Sequence, residues 1–408
     1  MPLEKRKTSP TGRENNRNKD ISYLTGNIIP AVGMKRRKFL TICGTSVFTL
    51  NFIHLFGLTK RLQAQIAQKG LIKMKLSPYF TPLPGGNIQC DLCPHQCLIP
   101  DGKRGLCRVR ENIGGKCYSL VHGNPCAINL DPIEKKPFLH VLPGSTSLSI
   151  ATAGCNFDCM FCQNWELALA SPEEVYSYDV SPESVVKKAH EMGARSIAYS
   201  YVEPTIFFEY MYDIACIAKN SGIMNIIHTN GYINKEPLEM LCRVMGAIQV
   251  DLKGFTELFY HELCGGNLAP VLETLKTIRK EKVHLEITNL IIPTKNDDMS
   301  RIKQMCLWIK RELGPDIPIH FNRFYPLHKL DRLPSTPIQT LEKAREVALD
   351  SGLRYVYIGN VPGHEGWNTF CPKCGKVLIK RSGYMLEEIH LQEGKCEYCG
   401  NLIPGLWN

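Results

Sequence analysis

The stretch TSLSIATAGCNFDCMFC, residues 146–162, decides how this chain is read. Residues 146–153 are an unbroken apolar, β-prone run, as expected for a strand covered on both faces in a parallel sheet. The run ends at Gly154, and Cys155, Cys159 and Cys162 follow at once with the spacing C-x3-C-x2-C. Three thiolates on one short loop can hold three corners of an iron–sulfur cube. A closed structural site takes four ligands, whereas three leave one iron open to an outside ligand, which a catalyst needs. A zinc ion with a distant fourth ligand, or reduced core cysteines, are the plainer alternatives. The loop's place after a strand, where parallel α/β folds build active sites, weighs against them.

Working outward, the same strand-then-helix alternation repeats. Apolar runs recur at 195–202, 224–229, 246–252, 283–292 and 317–324, with a further run at 354–359. Between them lie helical patterns. Ser181-Pro182 opens one that stops at Gly193, and others cover about 205–220, 235–245, 267–281, 297–313 and 336–350. The aromatic stretch 207–212 reads as a core helix. Such repeats predict an α/β barrel or open sheet with parallel strands. Polar chemistry gathers just past each strand: Glu203-Pro204, Thr229-Asn230-Gly231, Asp251 with Lys253, Pro293 with Asn296, and Arg323 with Tyr325. That is the active edge of a parallel sheet. His320, Asn322 and His364 also lie where a substrate could sit, although a role without chemistry fits each of them better.

The chain has 408 residues, 44% apolar and 22% charged, enough for two to three domains with a sizeable core. Its net charge of +10 is a property of the leader. Residues 1–75 hold 15 basic and 3 acidic side chains, whereas the rest hold 34 and 36. The body therefore has no excess of positive charge to offer a phosphate backbone, and nucleic acid is not an expected partner. Within residues 1–66 a polar, irregular start gives way to Met34-Lys35-Arg36-Arg37-Lys38-Phe39-Leu40 and an uncharged stretch to Thr59. This resembles a twin-arginine export signal and points to export or membrane attachment.

Eleven of the 18 cysteines fall in three tight groups, which suits metals better than disulfides. Near the C-terminus Cys371, Cys374, Cys396 and Cys399 form two C-x2-C pairs, each followed by glycine, as in a zinc ribbon. Lys376, Lys380 and Arg381 beside them read as a solvated face. Ahead of the barrel, Cys90, Cys93, Cys97 and Cys107 form C-x2-C-x3-C-x9-C. Structural zinc and an auxiliary iron–sulfur cluster suit this set equally, and His95 between them is expected to be an exposed bystander. Cys216, Cys242 and Cys306 read as small buried apolar residues.

The triplet, with Phe161 before its last cysteine, resembles the signature of radical S-adenosylmethionine (SAM) enzymes. Three segments match in order. Tyr201-Val202-Glu203-Pro204 stands where the family has a Gly-Gly-Glu-Pro strand end that binds the amino group of SAM. Thr229-Asn230-Gly231 resembles the third-strand signature, with His228 where pyruvate formate-lyase-activating enzymes have aspartate. Asp251-Leu252-Lys253 matches the Asp-Leu-Lys that contacts the SAM ribose and carboxylate. Asp131-Pro132-Ile133-Glu134-Lys135-Lys136-Pro137, Cys162-Gln163-Asn164-Trp165-Glu166 and the segment from Gly359 to Gly366 resemble the AmmeMemoRadiSam-system enzymes, over roughly residues 85–408. Thr294 departs from them where relatives carry glycine.

The resemblance implies an α/β fold: a partial (βα)6-type radical SAM barrel over 146–360, a Cys-rich N-terminal module over 67–145 and a zinc-ribbon-like module over 361–408. It implies a [4Fe–4S] cluster on Cys155, Cys159 and Cys162, with Phe161, Glu203, Asn230, Asp251 and Lys253 around SAM. It further implies reductive cleavage of SAM, a low-potential electron donor of flavodoxin or ferredoxin type, Zn2+ at the C-terminal cysteines, and AmmeMemoRadiSam-system proteins as partners. That chemistry draws on cytoplasmic supplies, in conflict with the export-like leader. Two other readings stand beside it: a glycyl-radical-enzyme activating enzyme, and a non-enzymatic zinc protein with affinity for nucleic acid.

Overall fold

The computed structural model describes residues 67–408, and the leader with its twin-arginine-like segment lies outside the described residues. Among the described residues no helix is long and apolar enough to cross a membrane.

Every apolar run singled out above forms a strand of one sheet. The strands are β1 (Ala127–Pro132), β2 (Thr146–Ala151), β3 (Ser196–Tyr199), β4 (Met224–Thr229), β5 (Ala247–Asp251), β6 (His284–Ile291), β7 (Ile319–Arg323) and β8 (Val356–Gly359). They lie side by side in chain order, with β1 and β8 at the two edges. From β2 to β8 each pair is parallel. β1, which the sequence reading does not anticipate, runs antiparallel to β2 with Ala127 opposite Ala151. Its residues 127–132 alternate poorly, and an edge strand needs only one neighbour to satisfy half its backbone.

The connecting helices are α1 (Pro182–Glu191), α2 (Phe208–Asn220), α3 (Lys235–Cys242), α4 (Leu268–Lys280), α5 (Met299–Glu312) and α6 (Ile338–Asp350). Their starts follow local chemistry: the Ser181 hydroxyl accepts from the Ser184 N–H, and Asp298 accepts from the Ser300 N–H at 2.7 Å. Phe208, Tyr210 and Met211 of α2 are buried, as a core helix requires. Cys242 and Cys306 are buried on α3 and α5, and Cys216 is half-buried on α2. Because β2 to β8 all run the same way, their C-terminal ends lie along one edge of the sheet.

Residues 67–126 build two small antiparallel sheets, Phe80–Pro82 with Ile88–Cys90 and Leu98–Ile99, and Lys75–Leu76 with Lys116–Ser119 and Arg110–Ile113. Tyr79, Ile88, Leu92 and Val109 share one apolar core with the strands and helices of the large sheet. At the other end, Val377–Ser382 pairs with Thr369–Phe370 and Met385–Ile389. Leu378, Ile379 and Ile403 there pack with Leu139, Tyr355 and Tyr357.

Arg381 corrects the expectation of a solvated basic face. It is buried and donates to the carbonyls of Trp367 and Leu139 and to Thr369 Oγ1. Strand alternation turns it inward, whereas Lys380 points out to Glu387 and Glu388.

Candidate active site

The C-terminal ends of the parallel strands line one cleft. Cys155, Cys159 and Cys162 border it, together with Phe161, Glu203, Asn230, Asp251 and Lys253, so the structure brings all the residues implied around the triplet into one place.

The triplet loop is pinned from several sides. The Asp158 and Met160 N–H groups donate to the carbonyls of Cys264 and Leu263 at 3.0 and 2.9 Å. Asn230 Nδ2 donates to Asn156 Oδ1 at 2.8 Å, and Asn156 Nδ2 donates to the Tyr232 carbonyl at 2.8 Å. Gly266 lets Phe157 close over the loop, since a Cβ there would stand 2.4 Å from the ring. The Phe157 N–H donates to Cys155 Sγ at 3.4 Å. Burial, and next to it the Glu203 charge, pushes the Cys155 thiol up. A hydrogen bond with Cys264, then burial, does the same for Cys159, and burial takes Cys162 to about 11. Cys264 sits fully buried behind Cys159 and is not among the residues that line the cleft. The donor set facing the cleft is thus three thiols on one loop, which fits a cluster with one open iron.

Glu203 is a brace between strand ends. Its Oε1 accepts from Thr205 N, Thr205 Oγ1 and Thr229 Oγ1 at 3.0, 2.6 and 2.6 Å, and its Oε2 accepts from Asn230 N at 2.7 Å. Burial raises its pKa in spite of these donors. Of the four hydrogen bonds three fall on Oε1 and one on Oε2, so Oε2 is the less crowded oxygen.

Asp251 and Lys253 are paired, Lys253 Nζ to Asp251 Oδ2 at 2.8 Å, and His228 Nε2 meets Asp251 Oδ1 at 2.7 Å. Burial opposes the charge on Asp251, but Lys253 and His228 outweigh it and hold the carboxyl well below its usual range. Burial likewise opposes the charge on Lys253, and Asp251 outweighs it and raises the ammonium. Lys253 Nζ also lies 5.9 Å from the Phe161 ring centroid.

Sequence reasoning missed the opposite rim of the cleft. Tyr201 adopts φ 69° at the position where the family carries glycine. Its hydroxyl donates to Asp131, Lys136 Nζ sits 4.2 Å above its ring, and Asn164 Nδ2 donates to its carbonyl at 2.6 Å. Lys136 is also paired with Asp131 at 2.5 Å, and burial brings its pKa down to about 8. The Asp131–Pro137 segment therefore contributes a charged network to the cleft rim. The spacing between Asp131 and Tyr201 along the chain gives no hint of that contact.

Other candidates fall elsewhere. His320 faces away from the cleft and binds the buried Glu286 at 2.7 Å. The Tyr325 hydroxyl donates to the Asn360 carbonyl, Arg323 Nε donates to the Thr336 carbonyl, and His364 Nδ1 accepts from the Gly366 N–H. Asn322 does line the cleft. His95 corrects the expectation of an exposed bystander: it is half-buried, with Nε2 2.7 Å from the Asn156 carbonyl and its ring against Tyr232.

At the C-terminal end, the ligand atoms of Cys371, Cys374, Cys396 and Cys399 all lie within 4.8 Å of one another and could hold a metal ion. The Gly375 and Gly400 N–H groups fold back onto the carbonyls of Cys371 and Cys396 at 2.9 and 2.8 Å, with both glycines at positive φ.

The sequence pattern of the radical SAM superfamily matches residues 149–306. The chain is 43% identical to an uncharacterized protein of Methanocaldococcus jannaschii, over 81% of this chain and 99% of that protein. It is 24% identical to the pyruvate formate-lyase-activating enzyme of Listeria monocytogenes, over 38% of this chain and 66% of that enzyme. A solved domain of a pyruvate-formate lyase-activating enzyme from Bacteroides vulgatus aligns with 40% of this chain and 99% of its own length, at 19% identity and a TM-score of 0.36.

Proposed function

From the premise that the chain belongs to the radical SAM superfamily and is a radical SAM enzyme, we propose that Cys155, Cys159 and Cys162 hold a [4Fe–4S] cluster whose open iron takes SAM, and that the product radical abstracts hydrogen from a substrate in the same cleft. Such a cluster supplies one electron to the sulfonium, and cleavage yields methionine and a 5′-deoxyadenosyl radical.

The observation that carries the reading is the convergence on one cleft of three thiols from one loop, the Asp251–Lys253 pair and Glu203. Glu203 Oε2, which carries a single donor, is the oxygen that suits the SAM ammonium. Lys253 Nζ offers its charge to the SAM carboxylate, and Asp251 accepts from ribose hydroxyls in exchange for part of its contact with His228. Phe161, backed by Phe259 at 5.9 Å, gives one wall an apolar lining that keeps water from a reactive carbon. The Asp131, Lys136 and Tyr201 network at the rim is where the substrate is held. We assign the chain to the AmmeMemoRadiSam type of this superfamily, with a flavodoxin- or ferredoxin-type electron donor, and the C-terminal cysteines to a structural Zn2+.

The test is anaerobic. Protein reconstituted with iron and sulfide, reduced with dithionite and given SAM should release 5′-deoxyadenosine, and Cys159→Ala should abolish that release. Release that survives in Cys159→Ala would sink the reading.

A further inference from the structure

We propose that Cys90, Cys93, Cys97 and Cys107 hold a second iron–sulfur cluster, a cubane ligated on all four irons by this chain and set against the back of the triplet loop. The site is separate from the cleft and its ligands are not those of the proposed active centre.

The first argument is spacing. At the C-terminal tetrad, Cys371 Sγ lies 3.6 Å from Cys399 Sγ and Cys374 Sγ 3.8 Å from Cys396 Sγ. Four thiolates around one zinc at ~2.3 Å stand about 3.8 Å apart, so that tetrad is preset for a single ion. Among the described residues no other group of three or more His, Cys, Asp or Glu ligand atoms is drawn together so closely. Cys90, Cys93, Cys97 and Cys107 instead line one small pocket without being drawn together to that distance. In a cubane each thiolate binds its own iron, and the body of the cluster keeps the sulfurs apart. The wider setting therefore suits a polynuclear centre and not one zinc ion. The triplet Cys155, Cys159 and Cys162 shares that wider setting.

The second argument is the backbone. Gln96, directly before Cys97, has φ 45°, and Arg108, directly after Cys107, has φ 71°. Neither is glycine, and a side chain makes the left-handed backbone unfavourable. Both close turns around the pocket, Gln96 N–H onto the Cys93 carbonyl at 3.1 Å and Arg108 N–H onto the Gly105 carbonyl at 3.0 Å. The strain is spent on aiming cysteines inward.

The third argument is surroundings. Leu92, Leu106 and Ile206 line the pocket, which favours soft thiolate ligation over a hydrated hard ion. Asn156 also lines it, and a Cβ on Gly154 would stand 2.5 Å from the Cys107 carbonyl. Asn156 thus lines this pocket and Gly154 packs against the Cys107 backbone, on either side of Cys155, so the two centres lie back to back.

The experiment uses the full chain, reconstituted anaerobically with iron and sulfide and assayed for iron, sulfide and zinc, with EPR after reduction. About eight irons per chain are expected, the count for two cubanes. The triple variant Cys155→Ala, Cys159→Ala, Cys162→Ala should keep about four irons in a cluster whose spectrum ignores SAM. The double variant Cys93→Ala, Cys97→Ala should lose about four and keep a cluster whose spectrum shifts with SAM. An iron-free triple variant, or one with a second zinc beyond the C-terminal tetrad, overturns the proposal. So does unmutated protein with about four irons, all responsive to SAM, which guards against a variant that fails to fold. If the active-centre reading failed instead, the triple variant would still retain its SAM-indifferent cluster, so the two failures are distinguishable.

Discussion

Two residues show how single positions carry strain for different reasons. Tyr201 and Thr294 both take left-handed φ, 69° and 65°, where the family resemblance places glycine. Thr294 is held there by a hydrogen bond from its own N–H to Asp297 Oδ1 at 2.9 Å, a contact any residue can make. Tyr201 is held by its side chain, through Asp131, Asn129 and Lys136. Thr294→Gly is therefore expected to stabilise the chain by about 1 kcal/mol, because the gain at positive φ exceeds the added freedom of the unfolded chain. A urea titration should show the midpoint rising with the slope unchanged. Tyr201→Gly relieves the same strain but strips Asp131 of a donor, and its midpoint should fall. A rise in both variants would show that the Tyr201 contacts contribute nothing.

Elements are joined by buried charge as well as by apolar packing. Arg110, on the strand Arg110–Ile113, donates to both oxygens of Glu209 in the first turn of α2, at 2.7 and 2.6 Å. It donates further to the Ile206 carbonyl and to Ser77 Oγ. Both side chains are almost fully buried, so each is tolerable only with the other present. Arg110→Leu should cost roughly 3–5 kcal/mol, since it leaves a buried carboxylate alone. Arg110→Leu with Glu209→Leu should cost clearly less, and a double-mutant cycle measures the difference. Equal losses in the single and double variants would mean that packing, not charge, dominates.

At the scale of the whole molecule, the C-terminal segment is tied to the large sheet by a chain of polar groups. Arg381 donates to Thr369 Oγ1, Thr369 lies 3.0 Å from the Tyr357 hydroxyl, and that hydroxyl lies 2.6 Å from His140 Nε2. His140 Nδ1 lies 2.6 Å from the Pro404 carbonyl. With Nδ1 donating to that carbonyl, a neutral ring accepts at Nε2 from the Tyr357 hydroxyl. Burial brings the His140 pKa down to about 3. The unfolded chain takes up that proton near pH 6.5, whereas the folded one refuses it, so stability is complete above pH 6.5 and falls as pH drops toward 3. The expected slope from His140 is about 1.4 kcal/mol per pH unit, and His140→Phe should flatten it in urea titrations between pH 6 and 4.5. Asp131, Asp251 and Glu286, all held below their usual range, add their own loss only below about pH 4. An unchanged slope in His140→Phe would count against the neutral-ring bridge.

The strands and helices were legible because their signals are local. A buried parallel strand is an apolar run, a helix start is a cap, and three cysteines in one loop are neighbours along the chain. The site edge was legible for the same reason, since parallel strands must all end on one side. The rim formed by Asp131, Lys136 and Tyr201, the inward turn of Arg381 and the half-buried His95 were not. Each depends on which distant segment lies across from it, and for the edge strand β1 no sequence periodicity says so. Sulfur spacing belongs to that second kind as well. Two cysteine quartets look equally metal-binding in the sequence, and only tertiary packing draws one together and holds the other apart.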